Sequence, residues 1–220
     1  MLEHFKLGQR SVRLAVAATA FGAALATQSA HAAVVVVNLT AAPVTIPFNI
    51  DGLYINVVSG ATGLTGATTP GWDVNAYFVG TGLGGTPALN LFSTVAAGNA
   101  YVGSGTNATA LTVGTTVGAA STFVTGTLGT GAAAAGIQYF GFRFLNGDAA
   151  TGTTHFGYAA FSRTLPVAAT SVRLLGYAFE STPLTSITVS PVPEPSSALL
   201  MLAGLALAGG LMRKRLAKQA

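Results

Sequence analysis

Residues 138–144 read Gln-Tyr-Phe-Gly-Phe-Arg-Phe, and this alternation constrains the chain more than any other segment. Side chains of an extended strand point to opposite faces in turn, so Phe140, Phe142 and Phe144 share one face and Arg143 takes the other. A helix would set Phe140 and Phe142 on opposite sides, because each residue turns by about 100°. Phenylalanines bury roughly 150–250 Å² each, so three on one face can nucleate a core. A turn built from Asn146-Gly147-Asp148 and Gly152 then leads to a second expected strand, Thr154 to Ser162. Val172 to Glu180 and the short Ile187 to Val189 are expected to complete an antiparallel meander.

Upstream, β-branched and aromatic runs alternate with glycine, proline and asparagine. Expected strands are Val34–Thr40, Val44–Ile50, Leu53–Val58, Val74–Val79, Ala88–Ser93, Leu111–Val113 and Ser121–Thr127. Residues 59–136 are rich in Gly, Ala and Thr, and small side chains on both faces leave register weakly specified there. Gly129 to Gly136, with four consecutive alanines, reads as a loop or linker. The expectation for residues 33–189 is a single all-β domain, an antiparallel sandwich or jelly roll.

Charge separates the ends from the body. The first 13 residues carry net +2 (Lys6, Arg10 and Arg13 against Glu3), and the last 27 carry net +3 (Arg213, Lys214, Arg215 and Lys218 against Glu194). Between them the balance is −1, with Arg143, Arg163 and Arg173 against Asp51, Asp73, Asp148 and Glu180. Three scattered arginines make no phosphate-tracking stripe, so nucleic acid is not an expected partner. Only 7% of the chain is charged and it has no cysteine, which excludes a coiled coil, a disulfide scaffold and any thiolate site.

Both ends read as addresses. Residues 1–32 have a basic start, an apolar run from Leu14 to Ala26 and the small-residue triplet Ala30-His31-Ala32. That is the order of a secretory signal peptide, with cleavage by signal peptidase expected between Ala32 and Ala33. At 13 residues the run is about 20 Å as a helix, short of an ordinary bilayer span. Residues 190–220 begin with the proline-dense Ser190-Pro191-Val192-Pro193-Glu194-Pro195-Ser196. An uncharged stretch over 197–212, expected to be a transmembrane helix, precedes a tail over 213–220 headed by Arg213-Lys214-Arg215. Basic residues after such a helix stay cytoplasmic, leaving the body on the side to which the leader sends it.

The Val192-Pro193-Glu194-Pro195-Ser196 motif, the apolar stretch and the basic cluster together resemble the PEP-CTERM sorting signal. The resemblance implies an exported protein held in the inner membrane of a Gram-negative bacterium. It further implies that a membrane-embedded exosortase cleaves near the motif and passes the protein to the envelope or exopolysaccharide matrix. A second resemblance rests on Gly141-Phe142-Arg143-Phe144, Thr154-His155-Phe156-Gly157-Tyr158 and Gly176-Tyr177-Ala178-Phe179-Glu180. It is to a C-terminal β-module recurrent in PEP-CTERM proteins. Phe156 and Tyr158 stand where that module usually has Tyr and Trp, and Phe179 where it usually has Tyr; the module's biochemical role is unknown.

Residues able to carry chemistry are few. His155 can pair with Asp148 across the hairpin, but no Gly-x-Ser-x-Gly elbow offers it a nucleophile, and the plain reading is a solvent-facing strand residue. The plain reading of Glu180 is an ion pair with Arg143 or Arg173. Asn49-Ile50-Asp51-Gly52 begins like a calcium loop yet lacks the remaining ligands, and an Asp-Gly turn explains it equally. Trp72 with Tyr54 and Tyr77 can form a sugar-stacking platform or simply be core. No catalytic, metal or cofactor residue is therefore expected. The function expected is a non-enzymatic cell-envelope or matrix protein; the alternatives are a carbohydrate-binding module and, behind it, a hydrolase.

Overall fold

Short β-branched and aromatic runs, each cut off by Gly, Pro or Asn, give a chain of strands joined by tight turns. The computed structural model describes residues 33–79, 88–94, 98–130, 135–147, 150–164 and 172–191. Among these the strands are β1 (Val34–Asn38), β2 (Val44–Thr45), β3 (Leu53–Ile55), β4 (Thr62–Gly63), β5 (Val74–Val79), β6 (Ala88–Ser93), β7 (Ala100–Ser104) and β8 (Asn107–Ala108). They continue with β9 (Ala110–Leu111), β10 (Thr116–Val117), β11 (Phe123–Val124), β12 (Gly126–Gly129), β13 (Gly136–Asn146), β14 (Thr153–Arg163), β15 (Val172–Glu180) and β16 (Ile187–Thr188).

The expected all-β character is present, as one large sheet. Fourteen strands follow the order β1-β15-β14-β13-β7-β8-β12-β6-β5-β3-β4, with β2 beside β15, β9 beside β13 and β11 beside β7. Strand β7 joins two arms, since it pairs with β13 on one side and β8 on the other. The sheet curls so that the inner faces of the arms meet. Leu53, Ile55, Val74, Phe78, Leu89, Leu91 and Leu128 of one arm share a buried cluster with Phe140, Phe142, Phe144, Phe161, Leu174 and Phe179 of the other. Burial at about 25 cal/mol per Å² of apolar surface makes this cluster the main source of stability.

The β13–β15 arm is buried on its outer face too. Tyr139, Phe156, Tyr158, Ala160, Leu175 and Ala178 lie beneath Val117, Ile187 and Val189 in a second cluster. One irregularity lets β15 serve both. Ala160 pairs with Gly176 while Phe161 pairs with Leu174, so Leu175 is an extra, bulged residue. Gly176 has φ +154°, and a Cβ there would collide with the Val37 carbonyl. The bulge switches the side-chain parity, so that Leu174 and Tyr177 both face the inner cluster.

The ends of several expected strands move for local reasons. The run expected over Val44–Ile50 stops at Thr45, ahead of Pro47, whose nitrogen cannot donate to a ladder. The run expected over Leu53–Val58 ends at Ile55, because the Asn56 side chain accepts from the Val58 and Ser59 N–H groups and closes a turn. Ser121–Thr127 divides into β11 and β12 around Gly126, at φ +105°. The fourth strand of the expected meander does not join β15. Both edges of β15 are taken, by β14 and by β1 with β2, so β16 crosses the outer face and pairs with β10. No described helix is long and apolar enough to cross a membrane; residues 1–32 and 192–220, with both expected addresses, lie outside the described residues.

Candidate functional site

The chain leaves the fold at a fastened point. Beyond Ile187, the Val189 N–H donates to the Thr115 carbonyl and the Val189 carbonyl accepts from Gly114 N–H, both at 2.8 Å. Ile187 and Val189 are buried against the outer face. The next side chain, Ser190, shares a 2.6 Å hydrogen bond with the Tyr158 hydroxyl. Pro191 follows, exposed, and the expected sorting residues Val192, Pro193, Glu194, Pro195 and Ser196 come immediately after. Those residues, Arg213, Lys214 and Arg215, and Ala30 and Ala32 of the expected leader cleavage site, lie outside the described residues. Ala33 is exposed, and its carbonyl accepts from Ser181 N–H at 3.1 Å. Sequence reasoning did not foresee the Tyr158–Ser190 bond. Its signal was the alternation that buries Ile187 and Val189, and so holds Ser190 against the sheet.

A second polar assembly surrounds Asp73, also missed from sequence. Its carboxylate accepts from Val57 N–H at 2.9 Å, while its backbone carbonyl accepts from the Asn99 side chain at 2.9 Å. Asn56 donates to the Pro70 and Gly71 carbonyls, tying two turns together above it. A cleft of about 190 Å³ opens between these turns and the one at 145–147. Burial pushes the Asp73 carboxyl up to about 7, against a smaller lowering by the Val57 N–H. Burial, with a smaller contribution from the Asp73 charge, also raises the Tyr177 hydroxyl. The legible signal was a lone carboxylate directly before an apolar strand.

The aromatic candidates are partly brought together. Tyr54 and Trp72 meet edge to face at 5.1 Å, and Trp72 stacks on Phe92 at 6.1 Å. Both Tyr54 and Trp72 remain half-buried, and Gly66 lies so near the indole Nε1 that a Cβ there would stand 2.9 Å away. Tyr77 is buried, with its hydroxyl hydrogen-bonded to Thr127.

His155 is not solvent-facing as expected. It is 3% exposed, with Nδ1 hydrogen-bonded to the Glu180 carbonyl at 2.8 Å, Nε2 to Thr153 Oγ1 at 2.9 Å and the ring stacked on Phe144. Its strand lies between β13 and β15, which buries side chains on both faces; Asp148 is outside the described residues. Both ring nitrogens are occupied, which leaves none for a substrate. Glu180 is also buried, and its Oε1 accepts from Thr182 N–H rather than meeting an arginine as expected. Arg143 instead lies over the Phe123 ring, 5.0 Å from its centroid. At the candidate calcium loop, Asn49 Oδ1 accepts from Gly52 N–H at 2.7 Å and Gly52 has φ +71°, the geometry of a turn. Asp51 contributes a backbone carbonyl to Asn75, and no cluster of three metal-ligating side chains occurs among the described residues.

What the arrangement defines is a β-rich body with a single built exit leading straight into its C-terminal segment. Comparison with known families identifies that segment: the family model for the PEP-CTERM protein-sorting motif matches residues 191–215. The chain is accordingly a PEP-CTERM protein, carrying the sorting signal of exported proteins that are processed at the membrane. No curated protein and no solved structure matches it.

Proposed function

We propose that this protein is a non-enzymatic component of the cell envelope or extracellular matrix, exported under a leader cleaved after Ala32. It is delivered by exosortase cleavage near Pro193-Glu194-Pro195 after transient anchoring by residues 197–212. The observation that carries the reading is the sorting motif at 191–215, which begins where the folded body ends. The body suits display. Its two arms close over one core in the manner of a sandwich, and Thr, Gly and Ala fill much of its exposed loops.

The test is Glu194→Ala in a host that carries an exosortase. Glu194 lies before the apolar stretch, so the variant inserts normally and accumulates uncleaved in the membrane fraction. Cleavage at the wild-type rate would reduce the tail to a plain anchor and end this reading.

A carbohydrate-binding role is the second reading, favoured by the half-exposed Tyr54–Trp72 pair on the outer face. Sugar rings stack on exposed indole and phenol faces. Polysaccharide pull-down that survives Trp72→Ala and Tyr54→Ala would remove it.

A further inference from the structure

The distance from fold to sorting motif is short enough to matter. Ser190 is held by Tyr158, and only four residues separate it from Glu194. Whatever path those residues take, each spans at most about 3.6 Å, so Glu194 stays within roughly 14 Å of Ser190. A body of this length has a radius of gyration of roughly 15 Å, no smaller than that reach. A membrane-embedded enzyme that encloses the Pro-Glu-Pro segment therefore meets the folded body as well.

The last stretch of the body is built as a separable strap. Beyond Leu184, whose N–H donates to the Thr154 carbonyl at 2.9 Å, it has only the two-residue β10–β16 ladder, the Val189 bonds to 114–115, the Tyr158–Ser190 bond and two buried side chains. None of its residues belongs to the 14-stranded sheet or to the inner cluster. Leu184, at φ +59° and exposed, marks its start with a left-handed conformation unusual for leucine.

We propose that the segment 187–190 is a releasable strap that controls access to the sorting motif: closed, it holds Glu194 against the body, and peeled off the outer face it frees the motif for the processing enzyme. Peeling adds four residues, about 14 Å of further reach, without unfolding the large sheet. Tyr158, Ile187 and Val189 are then positioning residues for processing, acting through the chain that follows them. The proposal rests on the sorting reading above.

The test measures cleavage of the full chain in membranes containing an exosortase. One variant inserts Gly-Ser-Gly-Ser between Pro191 and Val192, which supplies the reach without touching the body. It should be cleaved on the order of tenfold faster, as follows if the open strap is a roughly 10% minor state. Tyr158→Phe should speed cleavage by about threefold to tenfold, the value of one hydrogen bond. It should also raise amide exchange at 187–190 while leaving β13 and β14 protected. The insertion should gain little more in the Tyr158→Phe background. Cleaved wild type with an insertion variant no faster overturns the strap alone; no cleavage of any form overturns the sorting reading with it.

Discussion

Phe142 stands directly across from Gly157 in the β13–β14 ladder, and its ring fills the space a side chain at 157 would need. A Cβ on Gly157 would lie 2.6 Å from Phe142 Cζ and 2.7 Å from the Ala178 carbonyl oxygen. Gly157→Ala should therefore cost about 1–3 kcal/mol by overpacking, although alanine suits a strand better in isolation. Phe142→Ala should cost about 3–5 kcal/mol, because the side chain is fully buried. Urea denaturation of the double variant should show less than the sum, since removing the ring makes room for the methyl group. The relief is incomplete, because the Ala178 carbonyl stays in place. Replacing the exposed Asn107 by Ala is the control and should shift the midpoint little.

The joint between the two arms is pinned by one hydroxyl. Tyr101, on the shared strand β7, accepts from Asn75 N–H at 3.1 Å and donates to the Asn75 carbonyl at 3.3 Å. Tyr101→Phe leaves both buried backbone groups without that partner and should destabilise by about 1–3 kcal/mol. The fold itself should persist, since the ring is kept. Denaturation compared with Tyr54→Phe, a half-buried phenol, checks whether the cost belongs to the buried pair.

Asp73 makes stability depend on pH in an unusual direction. Its carboxyl is raised from 3.8 to about 7, chiefly by burial, so the folded state holds a proton that the unfolded chain releases near pH 4. Stability should be full below pH 4 as far as this group is concerned, and should fall as pH rises towards 7. The loss reaches roughly 4 kcal/mol at most, at 1.36 kcal/mol per unit of pKa. Asp73→Asn keeps an acceptor for Val57 N–H and carries no charge. It should flatten the profile between pH 4.5 and 8 and be the more stable form at pH 8. A parallel profile for wild type and variant would refute the assignment to Asp73.

Particular residues show how far the sequence could be read. Strands β5, β6 and β15 fall at the expected bounds, because alternation and β-branching are local properties that tertiary context here only reinforces. The inward placement of Phe140, Phe142 and Phe144 follows for the same reason. His155 and Glu180 were misplaced because period 2 assumes one wet face, whereas the outer face of β13–β15 is roofed by β10, β16 and Phe123. That roof comes from segments remote in sequence, so no local pattern announces it. The bulge at Leu175 is likewise hidden: Leu174 and Leu175 are equally apolar, and only pairing with β14 decides which faces inward. In the Gly/Ala/Thr-rich region, Asn56, Gly126 and Pro47 cut strands by side-chain or backbone geometry that hydrophobic pattern does not record. The sorting motif was legible as chemistry in linear order, but the body's grip on Ser190 required the fold.

The basic cluster at the far end offers a prediction independent of the strap. The apolar residues from Ala198 to Met212 span about 22 Å as a helix, against a hydrocarbon core of roughly 30 Å. A span so near the minimum holds its position by its flanks more than by its length. Arg213, Lys214 and Arg215 supply that flank, and each would have to lose its hydration to cross. Replacing all three by Gln removes most of the charge that keeps the tail cytoplasmic. The unprocessed form should then slip from the membrane fraction towards the soluble exported fraction, and cleavage should fall because the motif no longer rests at a fixed depth. Restoring Lys at 214 alone should recover part of the retention. Carbonate extraction and mass measurement of the three forms make the check. If the triple Gln variant is retained and cleaved as wild type is, the basic cluster has no role in stopping transfer.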